Sequence, residues 1–382
     1  MNWQWMLPLL LFAFQAQTQQ RPYFDFSKAG AGFYGAGREV PDPVVTTVRI
    51  GVLAPAKDFE GRQMRSGVEI AIEEANERGG YRGIPYEAVV RADDGPWGVA
   101  AGQLVSLAYE DKVWAVIGGI DGNRTHVAEL VASKAWVPVI TPAASDSSVD
   151  YANVPWVFRC VPADSRQADL LLGYAQNKGY RNLIAITEMQ RDGYTGFTRL
   201  QQAAWLEHQP LAAHLQYPPG NPEAILPQLR EFDADAFVVW GSAKSAAALI
   251  RVLRTAGAEV PILGPSELAG PELTQLDVTG NIVVAAPCDL SRDDDGMRRF
   301  VDAFRRRTGT EPSAIAMYAY DSARLTIDAV ERAGLNRARI RDELAGTSFQ
   351  GITGKIEFNS LRGNTADPVL LKLQDGRWVR LP

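Results

Sequence analysis

VWAVIGGIDGNRTHVAELVASKAWVPVITPAASDSS, residues 113–148, holds two short apolar strands joined by a helix, and each strand ends in a loop of small and polar residues. This is one strand–helix–strand unit of a parallel sheet. Strand tips that open into helix N-termini collect backbone N–H groups without intrahelical partners, and such tips accept anionic groups. The stretch points to binding rather than to chemistry.

The same alternation runs outward in both directions. Val48–Leu53 reads as a strand. Gly67–Asn76 reads as an amphipathic helix, with Val68, Ile72 and Ala75 on one face and Glu69 and Glu73 on another. Gly79-Gly80 stops it. Strand Tyr86–Arg91 and helix Val99–Tyr109 follow, then the strands at Val113 and Val137 and the helix from about Thr125 between them. The rhythm pauses at 156–167 (WVFRCVPADSRQ) and resumes with helices at 167–178, 195–207, 222–231 and 243–256. Strands at 182–187, 214–216, 236–240 and 262–263 alternate with them. A second pause falls at 281–291 (NIVVAAPCDLS). Two helices, 294–308 and 313–332, precede a hairpin-like β pattern with a turn at Asp375-Gly376. Strands alternating with helices predict an α/β fold of parallel sheets covered on both faces. The late helices are too few for a third domain and are expected to return to the first lobe. The result is two lobes with a cleft between them.

The 382 residues suffice for two domains, and 46% hydrophobic with 22% charged residues is a globular profile. The net charge is −6, and the densest cationic run, Arg305-Arg306-Arg307, reads as a solvated helix face; no nucleic-acid partner is expected. Residues 1–20 carry no charge, and Met6–Phe14 (MLPLLLFAF) has the length of a signal-peptide apolar region, too short to span a bilayer. Ala13 and Ala16 supply small residues near a cleavage point. The expectation is a signal peptide over 1–20, export as a soluble protein to the periplasm or the extracellular space, and an arm or linker over 21–47. The two cysteines, Cys160 and Cys288, leave open one disulfide or two buried thiols.

Catalysis has little support. His126, His208 and His214 show no metal-ligand spacing, and no G-x-S-x-G, P-loop or HExxH motif occurs. The chain is expected to be no enzyme and to need no cofactor and no metal.

The order of blocks resembles the type I periplasmic solute-binding proteins, and within them the leucine/isoleucine/valine-binding family of ABC importers. The blocks are VRIGVLAP (48–55), GVEIAIEEANERGGYRGIPYE (67–87), the pair Asp93-Asp94, VWAVIGG (113–119), VPVITPAAS (137–145), AYDSARL (319–325) and GKIEFNSLRGN (354–364). The resemblance implies two doubly wound lobes joined by a three-crossing hinge. Lobe 1 would comprise 48–160 and 288–349, and lobe 2 161–287 and 350–382. It implies a monomer that closes around an amino acid or a related small carboxylate or amide and presents it to a membrane permease. A ligand-sensing ectodomain or regulator of the same fold is the alternative. The matching ligand positions in lobe 1 are Gly122 and Ala143, Ala144 and Ser145, where a small residue admits the ligand and a hydroxyl and N–H meet its carboxylate. Gly122 stands where nearer members carry Ser, and Asn123 or Arg124 is expected to compensate. In lobe 2, Tyr194 in DGYTGF matches a recurrent cleft aromatic. Glu267, one residue beyond the expected acidic position after Gly264-Pro265, is the candidate for a ligand ammonium. The resemblance also places Cys160 and Cys288 in adjacent crossings and so implies a hinge disulfide.

Overall fold

The computed structural model describes residues 37–276 and 281–382. The expected signal peptide, and the arm up to residue 36, lie outside the described residues.

The first sheet contains β1 (Val48–Ala54), β2 (Tyr86–Ala92), β3 (Ala115–Gly118), β4 (Val139–Thr141) and β5 (Val157–Arg159). Its order is β2-β1-β3-β4-β5 and all its pairings are parallel. The connecting helices are α1 (Phe59–Glu77), α2 (Trp97–Tyr109), α3 (Gly122–Ala135) and α4 (Ser148–Ala152). After α5 (Asp164–Asn177) the chain builds a second sheet from β6 (Leu183–Glu188), β7 (Ala213–Tyr217), β8 (Ala236–Trp240), β9 (Ile262–Pro265) and β10 (Ile282–Ala286). Between these strands run α6 (Arg191–Leu206), α7 (Leu226–Leu229), α8 (Ala243–Thr255) and α9 (Pro271–Thr274). Then come α10 (Asp295–Thr308), α11 (Ala314–Ala333), α12 (Arg337–Ala345) and the hairpin β11 (Ser348–Gly351) and β12 (Gly354–Glu357). The strands β13 (Val369–Gln374) and β14 (Arg377–Arg380) add antiparallel to the second sheet, whose order is β14-β13-β10-β9-β8-β6-β7.

Each sheet is buried on both faces, so its strands are almost continuously apolar, as in Leu183–Glu188 and Ala236–Trp240. One apolar cluster of the first sheet joins Val48, Ile50 and Val52 to Met64 and Val68 of α1 and to Met317, Leu325 and Val330 of α11. The opposite face packs Leu104, Leu107 and Trp156. Gly67 is what lets α1 and α11 meet: a Cβ there would overlap the Ala316 carbonyl oxygen and sit 3.1 Å from the Tyr320 nitrogen. The helix α1 begins at Phe59, eight residues before the start expected from the sequence. Gly61 and Gly67 serve close packing rather than termination.

Four further readings are corrected. The first pause contains β5, and the second contains β10 between β9 and β13. Both are short apolar runs without an alternating pattern of their own. The helix expected at 222–231 divides into a 3-10 turn (Pro222–Ile225) and the short α7, because Pro227 offers no N–H to continue a helix. The helix α12 is heavily charged, so its apolar pattern is weak. It is fixed by the Asn336 side chain, which accepts from the Ala338 and Arg339 N–H groups, and by buried Ile340 and Leu344.

The chain passes between the sheets at 160–163, 287–294 and 358–368. The third crossing lies along β5: the Arg159 N–H donates to the Arg362 carbonyl at 3.0 Å, and the Asn364 N–H donates to that of Arg159 at 2.9 Å. Ile352 and Ile356, beyond the expected boundary at 349, lie in the first sheet's core. Cys160 and Cys288 sit in the first and second crossings, but as separate free thiols, not the disulfide that the resemblance implied. Both are buried in the first core cluster. Burial pushes the Cys160 thiol up to about 12 and that of Cys288 higher still, which keeps both protonated and inert.

Candidate functional site

The carboxyl ends of the two parallel sheets face each other across the crossings. In lobe 1, β3 ends at Gly118 and β4 at Thr141. The Thr141 hydroxyl ties the two tips together, donating to the Gly119 carbonyl at 2.6 Å and accepting from the Ala144 N–H at 3.1 Å. Asp121 caps α3 by accepting from the Arg124 N–H at 2.8 Å, so Gly122 and Asn123 open the helix with N–H groups that have no intrahelical partner. In lobe 2, the tip of β6 runs into Arg191 and Asp192 at the start of α6, and the tip of β9 runs into Ser266 and Glu267.

Several contacts join the lobes, and two of them lie at the strand tips. The Ser145 hydroxyl donates to Glu267 Oε1 at 2.8 Å, while the Ser266 hydroxyl holds the other oxygen at 3.1 Å. Asp146 pairs with Arg191 at 2.6 Å. Burial pushes the Asp146 carboxyl up, but bonds from Ser148 and Arg191 outweigh it, and the group ends below the usual carboxylate range. Glu267 goes the other way: enclosed by protein and close to Asp192, its carboxyl is raised. Its side chain nevertheless keeps water-accessible surface. Its bond to Ser145 of the opposite lobe places it at the cleft between the lobes. Asp192 has the same character, raised by burial and by Asp121 and Asp146 of the opposite lobe.

Ser145 and Glu267, expected to take opposite ends of a ligand, therefore lie in direct contact. Ala143 is half-buried beside Ser145, and Ala144 is buried. Gly122 is packed beneath the ion pair: a Cβ there would overlap Asp146 Oδ2 and come within 2.9 Å of Arg191 Nη1. Asn123 is exposed. Arg124 turns away from a ligand role, donating to Asp121 at 2.6 Å and lying 3.4 Å from Asp93. Asp93 is wholly buried; burial raises its carboxyl to about 6 against the opposing pull of Arg124. Tyr194 is 52% exposed on the first turn of α6, free to meet a ligand edge. The sequence reading missed Asp146, Arg191 and Asp192. Their signal was available: charged residues directly following an expected strand tip.

His126 accepts or donates at both ring nitrogens, to Glu129 at 2.6 Å and to the Ser148 hydroxyl at 2.8 Å. The spacing copies a nucleophile–base–acid relay. Here the Ser148 N–H, a donor that an oxyanion hole would need for a substrate's carbonyl oxygen, is taken by Asp146 at 2.9 Å. The trio is a structural link between α3 and α4. His214 stacks on Phe197 and bonds Thr187 at 2.9 Å. Among the described residues no cluster of His, Cys, Asp or Glu is arranged to hold a metal, and no helix is long and apolar enough to cross a membrane.

Two other concavities exist. One of about 870 Å³ lies between the 37–47 segment, Trp114, Trp136 and Arg337. One of about 650 Å³ lies behind the crossings, beside Asp289 and Arg380. The first sits at the amino ends of β1 and β3, the end of a parallel sheet opposite to where ligands collect. Neither is lined by an expected ligand residue.

Two α/β lobes, joined by three crossings, with facing strand tips define a two-lobed solute-binding protein. The family model described as periplasmic binding protein matches residues 47–371, and the chain belongs to that family, one of non-enzymatic solute-binding proteins. The leucine-, isoleucine-, valine-, threonine- and alanine-binding protein of Pseudomonas aeruginosa is 22% identical over 314 residues, covering 81% of this chain and 83% of the relative. Among solved structures, the branched-chain amino acid transporter substrate-binding protein LivJ of Streptococcus pneumoniae, in complex with isoleucine, has TM-score 0.76 and 23% identity. It covers 88% of this chain and 100% of its own. A solute-binding protein of an ABC transporter from Rhodopseudomonas palustris BisB5, in complex with 3,4-dihydroxybenzoic acid, has TM-score 0.78 and 16% identity over 88% of this chain and 97% of its own.

Proposed function

We propose that this chain is the exported binding component of an ABC importer. It captures an amino acid or a related small carboxylate or amide between its lobes and delivers it to a membrane permease. Family membership and the ligands named for its relatives support the reading. The observation that carries it is the meeting of Ser145 and Glu267 across the cleft at 2.8 Å. One donor and one acceptor, each on a different lobe, converge where a polar head would lie. Ala143, Ala144 and Ser145 form the lobe-1 floor, with the N–H groups of Gly122 and Asn123 beside it. Tyr194 and Glu267 form the opposing wall, and Arg124 positions Asp121 from behind. Closure strengthens these bonds by excluding water.

The test is a thermal-shift screen of the exported, mature protein against amino acids, amides and small carboxylates. A bound solute raises the melting temperature progressively with its excess over Kd. A null result across all three classes would overturn the reading.

A further inference from the structure

The polarity of the cleft narrows the ligand further, on the premise that the cleft between the lobes is the binding site. Five carboxylates gather at the facing strand tips: Asp121 and Asp146 from lobe 1, Glu188, Asp192 and Glu267 from lobe 2. They sit at the tips of β4, β6 and β9 and at the starts of α3 and α6, and the Ser145–Glu267 bond at 2.8 Å and the Asp146–Arg191 pair at 2.6 Å bring the two sets together across the cleft. Two guanidiniums stand among them. Arg191 is engaged by Asp146 at 2.6 Å. Arg124 is engaged by Asp121 at 2.6 Å and by buried Asp93 at 3.4 Å. Lys57 and Lys244, on the loops after β1 and at the start of α8, are exposed to water.

The donor inventory points the same way. In the relatives' pattern a Ser or Thr at the position of Ser145 serves a ligand carboxylate. In this chain the Ser145 hydroxyl donates to Glu267, and the second hydroxyl at the site, that of Ser266, donates to Glu267 as well. An anionic head entering here would have to displace a protein carboxylate from its donors and then lie beside it and Asp192. A cationic head meets acceptors already in place, and the half-exposed ring of Tyr194 offers a face to an organic cation.

We propose that the cleft selects a solute of net positive charge, an organic ammonium or amidinium such as a basic amino acid or its decarboxylated or amidated form, and discriminates against small anionic carboxylates. Glu267 and Asp192, both at strand tips of lobe 2, are the specificity residues. Gly122 contributes by leaving Arg191 on Asp146, so that this guanidinium does not turn toward the ligand.

Four probes test this on the full mature chain by thermal shift and titration calorimetry: agmatine, arginine, leucine and benzoate. The expected result is binding of agmatine and arginine at least about tenfold tighter than leucine, with no response to benzoate, and weakening of both cations as salt is raised. Glu267→Gln keeps the side-chain shape and is expected to weaken agmatine at least about tenfold. Asp192→Asn, at a water-accessible position, is expected to act in the same direction. Absence of a response to both cations, or binding of benzoate or leucine as tight as arginine, overturns the inference. A response to leucine or benzoate alone does so while leaving the solute-binding reading standing.

Discussion

Gly122→Ala separates the stability of lobe 1 from the closure of the two lobes. Gly122 is the first residue of α3 and is buried beneath the Asp146–Arg191 pair. Its backbone is not in the left-handed region, so Ala fits the helix and gains up to about 1 kcal/mol of helix propensity. The added Cβ, however, overlaps Asp146 Oδ2 and lies 2.9 Å from Arg191 Nη1 and 3.0 Å from Asp146 Cβ. The carboxylate has to retreat by roughly 1 Å to reach ordinary contact. Its other oxygen is held by the Ser148 N–H at 2.9 Å, so retreat breaks the 2.6 Å bond to Arg191 rather than carrying the pair along. Asp146 is 9% exposed and Arg191 32% at their side chains, between a surface pair and a buried one. Loss of the pair therefore costs about 1–3 kcal/mol, which moves the open-to-closed ratio by about 5- to 150-fold. Single-molecule energy transfer between labels on α2 and α8 reads that ratio without added solute. The expected outcome is a population shifted to longer distances, with both lobes still folded by circular dichroism. An unchanged distance distribution would refute the argument that this pair holds the lobes together.

Ser145→Ala removes a hydroxyl from the cleft, and the solute giving the largest thermal shift should bind about 3- to 10-fold more weakly with the fold intact by circular dichroism; unchanged affinity would remove Ser145 from the site. The bond to Glu129 raises His126 above its ordinary value of 6.5, despite partial burial. The link it makes between α3 and α4 is therefore fully present below pH 6.5 and lost as pH climbs through the raised value. His126→Gln should flatten the melting temperature against pH over this window, and a wild-type profile that is already flat would contradict the assignment. Cys160 and Cys288 should resist thiol reagents in the native protein and titrate as two thiols once unfolded; a denatured, non-reduced protein with no titratable thiol would show that they form a bond. Asp93→Asn removes a carboxylate that burial holds at about 6, and should raise stability at neutral pH by about 1–2 kcal/mol, offset by the looser hold on Arg124. A denaturant midpoint below wild type at pH 7 would mean that the Arg124 contact outweighs the burial.

Most of the fold could be read in the chain because buried parallel strands and amphipathic helices leave local signals. Val48–Ala54, Tyr86–Ala92 and Ala236–Trp240 emerge within a residue of their bounds. The elements that escaped reading leave weak local signals. Both β5 and β10 are ordinary apolar runs until the sheets form around them. At the site, the family resemblance pointed to Ser145 and Glu267, which lie in contact, whereas the ion pair of Asp146 with Arg191 belongs to two lobes and exists only once both are folded. Arg124 was misjudged for the same reason: its partners, Asp93 and Asp121, come from the tip of another strand and from its own helix cap. Gly122 looked like a lost hydroxyl. In the folded protein it is the space that a charged pair needs.

The central claim is that one solute is held by both lobes at once. Hydrogen exchange with mass spectrometry, on the mature protein with and without the solute giving the largest thermal shift, tests it directly. The account expects simultaneous protection of peptides spanning 119–125, 143–149, 188–196 and 264–269. Protection confined to one lobe, or centred on the groove beside Trp114 and Trp136, would contradict it.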